Sequence, residues 1–391
     1  MRIAMIGQKG IPATYGGVER HVEDLAVNLV QAGHRITVYG RFWYTRVKKN
    51  KFQGVDIKLL PSVRTKHLDT ITHVFFSTIH ALFQNYDVIH YHGVGPALLS
   101  WIPRLFTPKI KIIITFHSID RYHQKWNWLA KIFLRLGEWF ACRLPRSTIV
   151  VSEALQKYCL NEYHHETVYI PNGAGRKKPE LTPQEKLTDF NLEPENYLLM
   201  VSRLIPHKGA HLLIEAFLKL KENPDADEKI KKLKLAIVGG SVHTDKYVTD
   251  LHALAGKNSD IVFTGFQAGN ALRRLYQNAS VLVHPSLNEG LPITVLEAMS
   301  YGKPTLLSDI PEHQELIRNP EVLFKSNNVR DLENKIREFI GLDAAEQKTL
   351  GRKNKAIVER HYSWESITPR IIAVYEEDNR GVRVRTSKAN I

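Results

Sequence analysis

Two glutamates, Glu289 and Glu297, stand eight residues apart in the stretch NEGLPITVLEAMSYGKP, residues 288–304. An ionised carboxylate is a pure hydrogen-bond acceptor and suits a pair of neighbouring hydroxyls. After Glu289 come Gly290-Leu291-Pro292 and then an apolar helical pattern that carries Glu297. Proline costs nothing in the first turn of a helix, where its missing N–H would have no partner anyway. Gly290 and Leu291 are therefore expected to present bare amides at a helix N-terminus, which favours an anion or a sugar hydroxyl. Glu289 belongs to the loop beside those amides, and Glu297 lies about 1.5 turns into the helix. Two carboxylates at different depths could hold two different polyols, such as a hexose and a ribose. The plainer alternative is a glutamate complementing the helix dipole and a second on a solvated face; it leaves Gly-Leu-Pro unexplained.

Upstream, the run Ser202-Arg203-Leu204-Ile205-Pro206-His207-Lys208-Gly209 sets Arg203 and Lys208 on either side of a proline-stiffened turn. Arginine grips two phosphate oxygens at once and lysine supplies a compact charge, each such contact being worth about 1.5–3 kcal/mol. Combined with the glutamates, the two cations point to a nucleotide sugar, two polyols joined through a diphosphate. A further turn, Gly7-Gln8-Lys9-Gly10 followed by Tyr15-Gly16-Gly17-Val18-Glu19, opens a helix with apolar positions at Val22, Leu25, Ala26 and Leu29. Glycines there let backbone N–H groups approach an anion. The spacing is neither a dinucleotide fingerprint nor a Walker motif, so a purely structural turn is the alternative.

These residues need elements that hold them at one place. Short β-branched runs alternate with amphipathic stretches along the whole chain, the pattern of parallel sheets covered by helices. The first half offers strands at Arg2–Ile6, Arg35–Tyr39, Asp56–Leu59, Val88–Tyr91, Lys111–Phe116 and Thr148–Val151. The second offers Tyr197–Ser202, Lys234–Val238, Ile261–Thr264, Val281–Val283 and Pro304–Leu307. Each set could build one doubly wound sheet, and ligands of such sheets bind beyond the carboxyl ends of the strands. The motifs above lie just after strands. Residues 173–195, rich in Pro, Lys, Glu and Thr, read as a linker, which places a first domain at 1–172 and a second at 196–360.

Composition narrows the partners. The 391 residues are 43% hydrophobic and 24% charged, enough for two cores. The longest apolar runs fall short of the roughly 20 residues of a membrane-spanning helix, and the start MRIAMIG lacks the parts of a signal peptide. A cytoplasmic location is expected, in keeping with two cysteines, Cys142 and Cys159, that form no C-x-x-C pair. The net charge of +14 is uneven: residues 1–172 hold 22 Lys+Arg against 11 Asp+Glu, the remainder 32 against 29. A basic first half favours an anionic partner.

The set GGVERHVEDLA (16–26), TFHSID (115–120), PNG (171–173), SRLIPHKG (202–209) and EGLPITVLEAMSYGKP (289–304) resembles the retaining glycosyltransferases of family 4 with the two-domain GT-B fold. The likeness runs from the first strand to Tyr362-Ser363-Trp364-Glu365, and the opening MRIAMIGQKGIPATYGGVERHVEDLA is similar to a branch containing capsule and O-antigen rhamnosyltransferases. The resemblance implies that Arg203 and Lys208 bind the donor diphosphate and stabilise the leaving group. It places Glu289 on the transferred sugar, with Gly290, Leu291 and Pro292 alongside, and Glu297 on the ribose. His117 would position the sugar near its anomeric carbon, and Gly16-Gly17 would border the phosphates and the acceptor. Residues 361–391 would form a helical segment returning toward the first domain. A carboxylate nucleophile is the usual route to retention, but the family favours front-face attack, so Glu289 is assigned to binding and electrostatics. No Asp-x-Asp motif occurs; no metal and no cofactor are expected, the nucleotide sugar being a substrate. The branch implies transfer of a sugar such as rhamnose, from dTDP-rhamnose, to a polyprenyl-diphosphate-linked saccharide.

The acceptor is expected on the basic first domain. Arg41 to Phe52 interleaves Phe42, Trp43 and Tyr44 with Arg46, Lys48, Lys49 and Lys51, and Tyr122 to Leu144 carries Trp126, Trp128, Phe133 and Trp139 among Lys125, Lys131, Arg135 and Arg143. Aromatic rings at headgroup depth and cations on anionic lipid are the pattern of a bilayer interface, so peripheral attachment to the inner face of the cytoplasmic membrane is expected. Asp120 is a candidate acceptor contact, with a helix cap as the alternative. Other classes are a sugar-nucleotide epimerase with the same cleft and a non-catalytic binding protein. Single-stranded nucleic acid also suits basic–aromatic surfaces, but no nucleic-acid module is recognisable.

Overall fold

The computed structural model describes residues 1–45, 50–65, 68–122, 128–175, 187–222, 227–241 and 244–377. Two sheets organise them. The first contains β1 (Arg2–Ile6), β2 (Arg35–Arg41), β3 (Lys51–Phe52), β4 (Val55–Leu60), β5 (Val88–His92), β6 (Lys111–Phe116), β7 (Ser147–Val150) and β8 (Val168–Tyr169), in the spatial order 3-4-2-1-5-6-7-8. All pairs are parallel except the β3–β4 hairpin. The second contains β9 (Tyr197–Val201), β10 (Lys234–Val238), β11 (Ile261–Gly265), β12 (Val281–His284), β13 (Thr305–Ser308) and β14 (Leu323–Phe324), ordered 11-10-9-12-13-14 and parallel throughout. All eleven expected strands are present. The three additions, β3, β8 and β14, are two residues long, too short to show an alternation in sequence.

Central strands such as β6, KIIITF, are apolar on both faces because helices cover both. The helix Gly17–Gln31 buries Val22, Leu25, Ala26 and Leu29 on β1 and β2, in one core with Ile3, Met5, Ile36 and Val38. That core is completed from the far end of the chain. The helix Trp364–Glu376 places Trp364, Ile367, Ile371, Val374 and Tyr375 in it, and the Tyr375 hydroxyl lies 2.7 Å from His90 Nδ1. The chain therefore crosses back from the second sheet to the first. Glu315 of the second domain adds a polar tie, accepting from the Glu153 N–H at 2.8 Å and from the Tyr169 hydroxyl at 2.5 Å.

Candidate active site

The carboxyl ends of the two sheets face each other. His117 directly follows β6, Gly290 follows β12, and a Cβ on Gly290 would overlap the His117 carbonyl. Only glycine permits that approach. Beside it, a Cβ on Gly17 would meet Ile293 Cδ1 at 3.8 Å, so the Gly16-Gly17 turn borders the start of the helix Ile293–Ser300. Gly16 has φ 106°, a backbone state that glycine adopts without strain. Pro292 is the N-cap of that helix, one position earlier than the first-turn place expected for it, and Leu291 is tied through its carbonyl to Asn172 Nδ2 at 2.9 Å.

Glu289 is the centre of a buried ion cluster. Its Oε1 accepts from Lys208 Nζ and lies 2.8 Å from His284 Nε2. Burial works against the charge, but Lys208 and His284 outweigh it and hold the Glu289 carboxyl well below the usual carboxylate range. Burial also pulls the Lys208 ammonium down, with Glu289 opposing and Arg203 assisting by repulsion. Lys208 is 9% exposed. Arg203 is exposed, close enough to act by charge on both Lys208 and Lys9. The sequence leads one to expect two cations directed at a phosphate; the structure gives one exposed cation and one paired with the glutamate expected to hold the sugar.

Glu297 is also engaged. Its Oε1 lies 3.5 Å from Arg20 Nε, across the gap between domains, while Arg20 pairs with Glu23 and Asp24 at 3.1 and 3.2 Å. Arg20, Arg273, Tyr301 and Glu297 line a cavity of about 160 Å³. Asp120 accepts from the Ser118 hydroxyl at 2.8 Å and begins a short 3₁₀ turn.

Five residues to which the sequence assigns no part join the site. Lys9, at the end of β1, lies 4.6 Å from the Tyr15 ring centroid and is buried enough to lower its ammonium. His284 orients Glu289. Arg20 meets Glu297, and His21 and His92 pack around His117. The available signal was positional: His92 and His284 end strands, as Lys9 and His117 follow them.

Trp43, expected at a bilayer, has an internal partner. Its Nε1 donates to Asp69 at 3.1 Å, and Arg41, almost fully buried, pairs with the same carboxylate at 2.7 Å. Next to it the buried Tyr44 hydroxyl receives the Thr14 N–H at 2.9 Å and donates to the Tyr15 carbonyl at 2.7 Å. The segment therefore props the glycine-rich turn. Lys48, Lys49 and Trp126 lie outside the described residues. Trp128 is 69% exposed on the helix Trp128–Arg143, together with Ile132, Phe133, Leu136 and Trp139. No helix among the described residues is long and apolar enough to cross a membrane.

Residues 15–175 match the family model described as Glycosyltransferase Family 4, and residues 184–357 match Glycosyl transferases group 1. The chain is a GT-B glycosyltransferase of the family 4 and group 1 type. An uncharacterized glycosyltransferase of Methanocaldococcus jannaschii is 25% identical to it over 400 residues, covering 96% of this chain and 98% of the relative. An Escherichia coli UDP-Gal:alpha-D-GlcNAc-diphosphoundecaprenol alpha-1,3-galactosyltransferase is 25% identical over 249 residues, 60% of this glycosyltransferase and 61% of the relative. The fold of Anabaena HepE in complex with UDP and glucose superposes with a TM-score of 0.77 at 20% identity, covering 95% of this chain and 98% of HepE.

Proposed function

We propose that this glycosyltransferase is retaining and moves a sugar, rhamnose from dTDP-rhamnose, onto a polyprenyl-diphosphate-linked saccharide during synthesis of a cell-surface polysaccharide. The observation that carries the site assignment is the Lys208–Glu289–His284 cluster lying across a backbone contact from His117. The UDP and glucose of HepE and the lipid diphosphate named for the E. coli relative support a nucleotide-sugar donor and a lipid-linked acceptor.

In the reaction, the acceptor hydroxyl oxygen bonds to the anomeric carbon on the face that the diphosphate leaves. The bond from that carbon to the phosphate oxygen breaks with its electron pair on the diphosphate, and the departing phosphate takes the hydroxyl proton. Negative charge grows on the diphosphate and positive charge on the ring. Arg203 and Lys208 oppose the first change, and fixed cations in a water-poor site act strongly there. Lys208 must then divide its protons between Glu289 and the phosphate. Glu289, kept ionised, faces the second change and accepts from sugar hydroxyls. His117 positions the sugar, and Glu297 exchanges Arg20 for the ribose hydroxyls.

The lipid acceptor would reach the site from the first domain. Trp128, Ile132, Phe133, Leu136 and Trp139 lie exposed beside Lys131 and Arg135, with Leu105 and Phe106 on the neighbouring helix Trp101–Phe106. Arg104 Nη1 donates to the carbonyl of Leu144, the residue after the helix Trp128–Arg143, at 3.1 Å. Such a face fits an anionic bilayer surface.

Incubating the chain with labelled nucleotide sugars and a bacterial membrane lipid extract tests the reading. Labelled lipid with retained anomeric configuration is expected, most from dTDP-rhamnose. An isomerised donor, or no product from any donor, would overturn it.

A further inference from the structure

His21 on the helix Gly17–Gln31, His92 at the end of β5 and His117 after β6 bring three imidazoles together from separate elements. One ligand nitrogen from each lies within 4.8 Å of the other two. His92 Nδ1 and His117 Nε2 are 3.2 Å apart. Metal–nitrogen bonds of about 2.0–2.1 Å in a tetrahedral site set such an edge at about 3.3 Å. The pair is thus already spaced for one ion, and a side-chain rotation at His21 would close the third edge.

A second observation comes from the hydrogen bonds. His21 is 3% exposed, yet neither ring nitrogen makes a hydrogen bond of ordinary geometry, and His92 Nε2 is equally without a partner. Buried polar atoms left so need an explanation, and where three imidazoles converge a bound ion is the one that uses them together. The neighbouring His90 is a built-in contrast. It stacks on His92 with ring centroids 4.1 Å apart, but its Nδ1 is bonded to the Tyr375 hydroxyl and its Nε2 to the Thr115 hydroxyl, both at 2.7 Å. Both His90 nitrogens are engaged by other residues, whereas the His92–His117 pair bond only each other and His21 has nothing beyond a contact with Asn172.

We propose that His21, His92 and His117 form a tripod for a divalent transition metal of the zinc class, leaving a fourth coordination position open. Neutral imidazole is the ligand form. Burial supplies it: His21 is pushed down to about 4, and His92 and His117 fall well below their ordinary value. Metal therefore displaces no ring charge near neutral pH and needs only a tautomer change in the His92–His117 pair. The ion would occupy His117, the residue placed at the transferred sugar, so metal and transfer would oppose each other. That consequence rests on the proposed function; metal uptake does not.

The full chain, freed of metal by chelator, is titrated with Co²⁺ while its visible spectrum is recorded. One Co²⁺ per chain with intense tetrahedral bands, displaced by Zn²⁺, is expected. His21→Phe and His92→Phe, which keep a ring in place, should each weaken uptake at least about tenfold, as even outer-sphere losses cost 10–100-fold at metal sites. Melting of the metal-free variants checks that they fold, with His21→Gln as a replacement. No uptake by the natural chain, or uptake unchanged in the folded variants, would overturn the site. With uptake proven, Zn²⁺ should inhibit transfer and excess donor should relieve it. Uptake without inhibition would overturn the antagonism alone.

Discussion

Lys208 and Glu289 on one wall of the cleft, and His21, His92 and His117 on the other, are all withdrawn from water, yet the first pair is ionised and the three imidazoles are neutral. Burial penalises charge on both walls. The difference lies in the partners. Glu289 has a cation and a histidine N–H within hydrogen-bond reach. The imidazoles have mainly one another: after burial, His90, His117 and His21 depress His92 further, and His21 and His90 depress His117. One wall thus keeps its charges and the other keeps uncharged imidazoles; in the proposed reaction the first would face the charge that develops and the second the sugar ring.

The largest effect should come from breaking the charged wall. Lys208→Ala is expected to lower turnover about 10²–10³-fold, the usual cost of one transition-state donor, in a transfer assay. It should also destabilise the fold, by up to about 3–5 kcal/mol, because it leaves Glu289 buried with His284 as its remaining partner and no resident cation. Arg203→Ala, at an exposed position, should lose comparable turnover with the melting temperature unchanged. Lys208→Met combined with Glu289→Gln should recover most of the stability and none of the activity, separating the pair's structural worth from its chemistry by urea unfolding.

The neutral wall answers to pH. His21 falls from 6.5 to about 4. Between those values the unfolded chain binds a proton that the native residue refuses, so stability is intact above pH 6.5 and falls as pH drops through the window, by about 3 kcal/mol at its limit. With chelator present, His21→Phe should flatten the slope of unfolding free energy against pH over that range. His90, pushed down to about 3, keeps a share of it. An unchanged slope would mean that His21 is not buried as described.

The smallest effect belongs to the outer face of the first domain. Lys131→Ala and Arg135→Ala should each weaken binding to anionic vesicles by about 1 kcal/mol, roughly fivefold, measured by co-sedimentation at low salt. Binding that ignores both changes would remove the helix Trp128–Arg143 from the membrane account.

Strands and motif order were legible because each depends on neighbours in sequence. Continuous apolar runs such as KIIITF announce strands buried on both faces, and Gly290 announces a close approach without saying to what. The pairings were not legible. Nothing local in EGLP shows that His284 and Lys208 meet at Glu289, or that Arg20, 277 residues before Glu297, lies across the gap from it. Trp43 shows what composition leaves open. A basic–aromatic composition looks the same in sequence whether the ring faces lipid or bonds an internal carboxylate such as Asp69.

The central claim, that Arg203, Lys208 and Glu297 converge on a nucleotide diphosphate, is tested most directly by a crystal structure of the chain with a nucleoside diphosphate bound. The account predicts phosphate oxygens within hydrogen-bond reach of Lys208 Nζ and the Arg203 guanidinium, and ribose hydroxyls on a Glu297 released from Arg20. A diphosphate seated away from Lys208, with the Arg20–Glu297 pair intact, would contradict it.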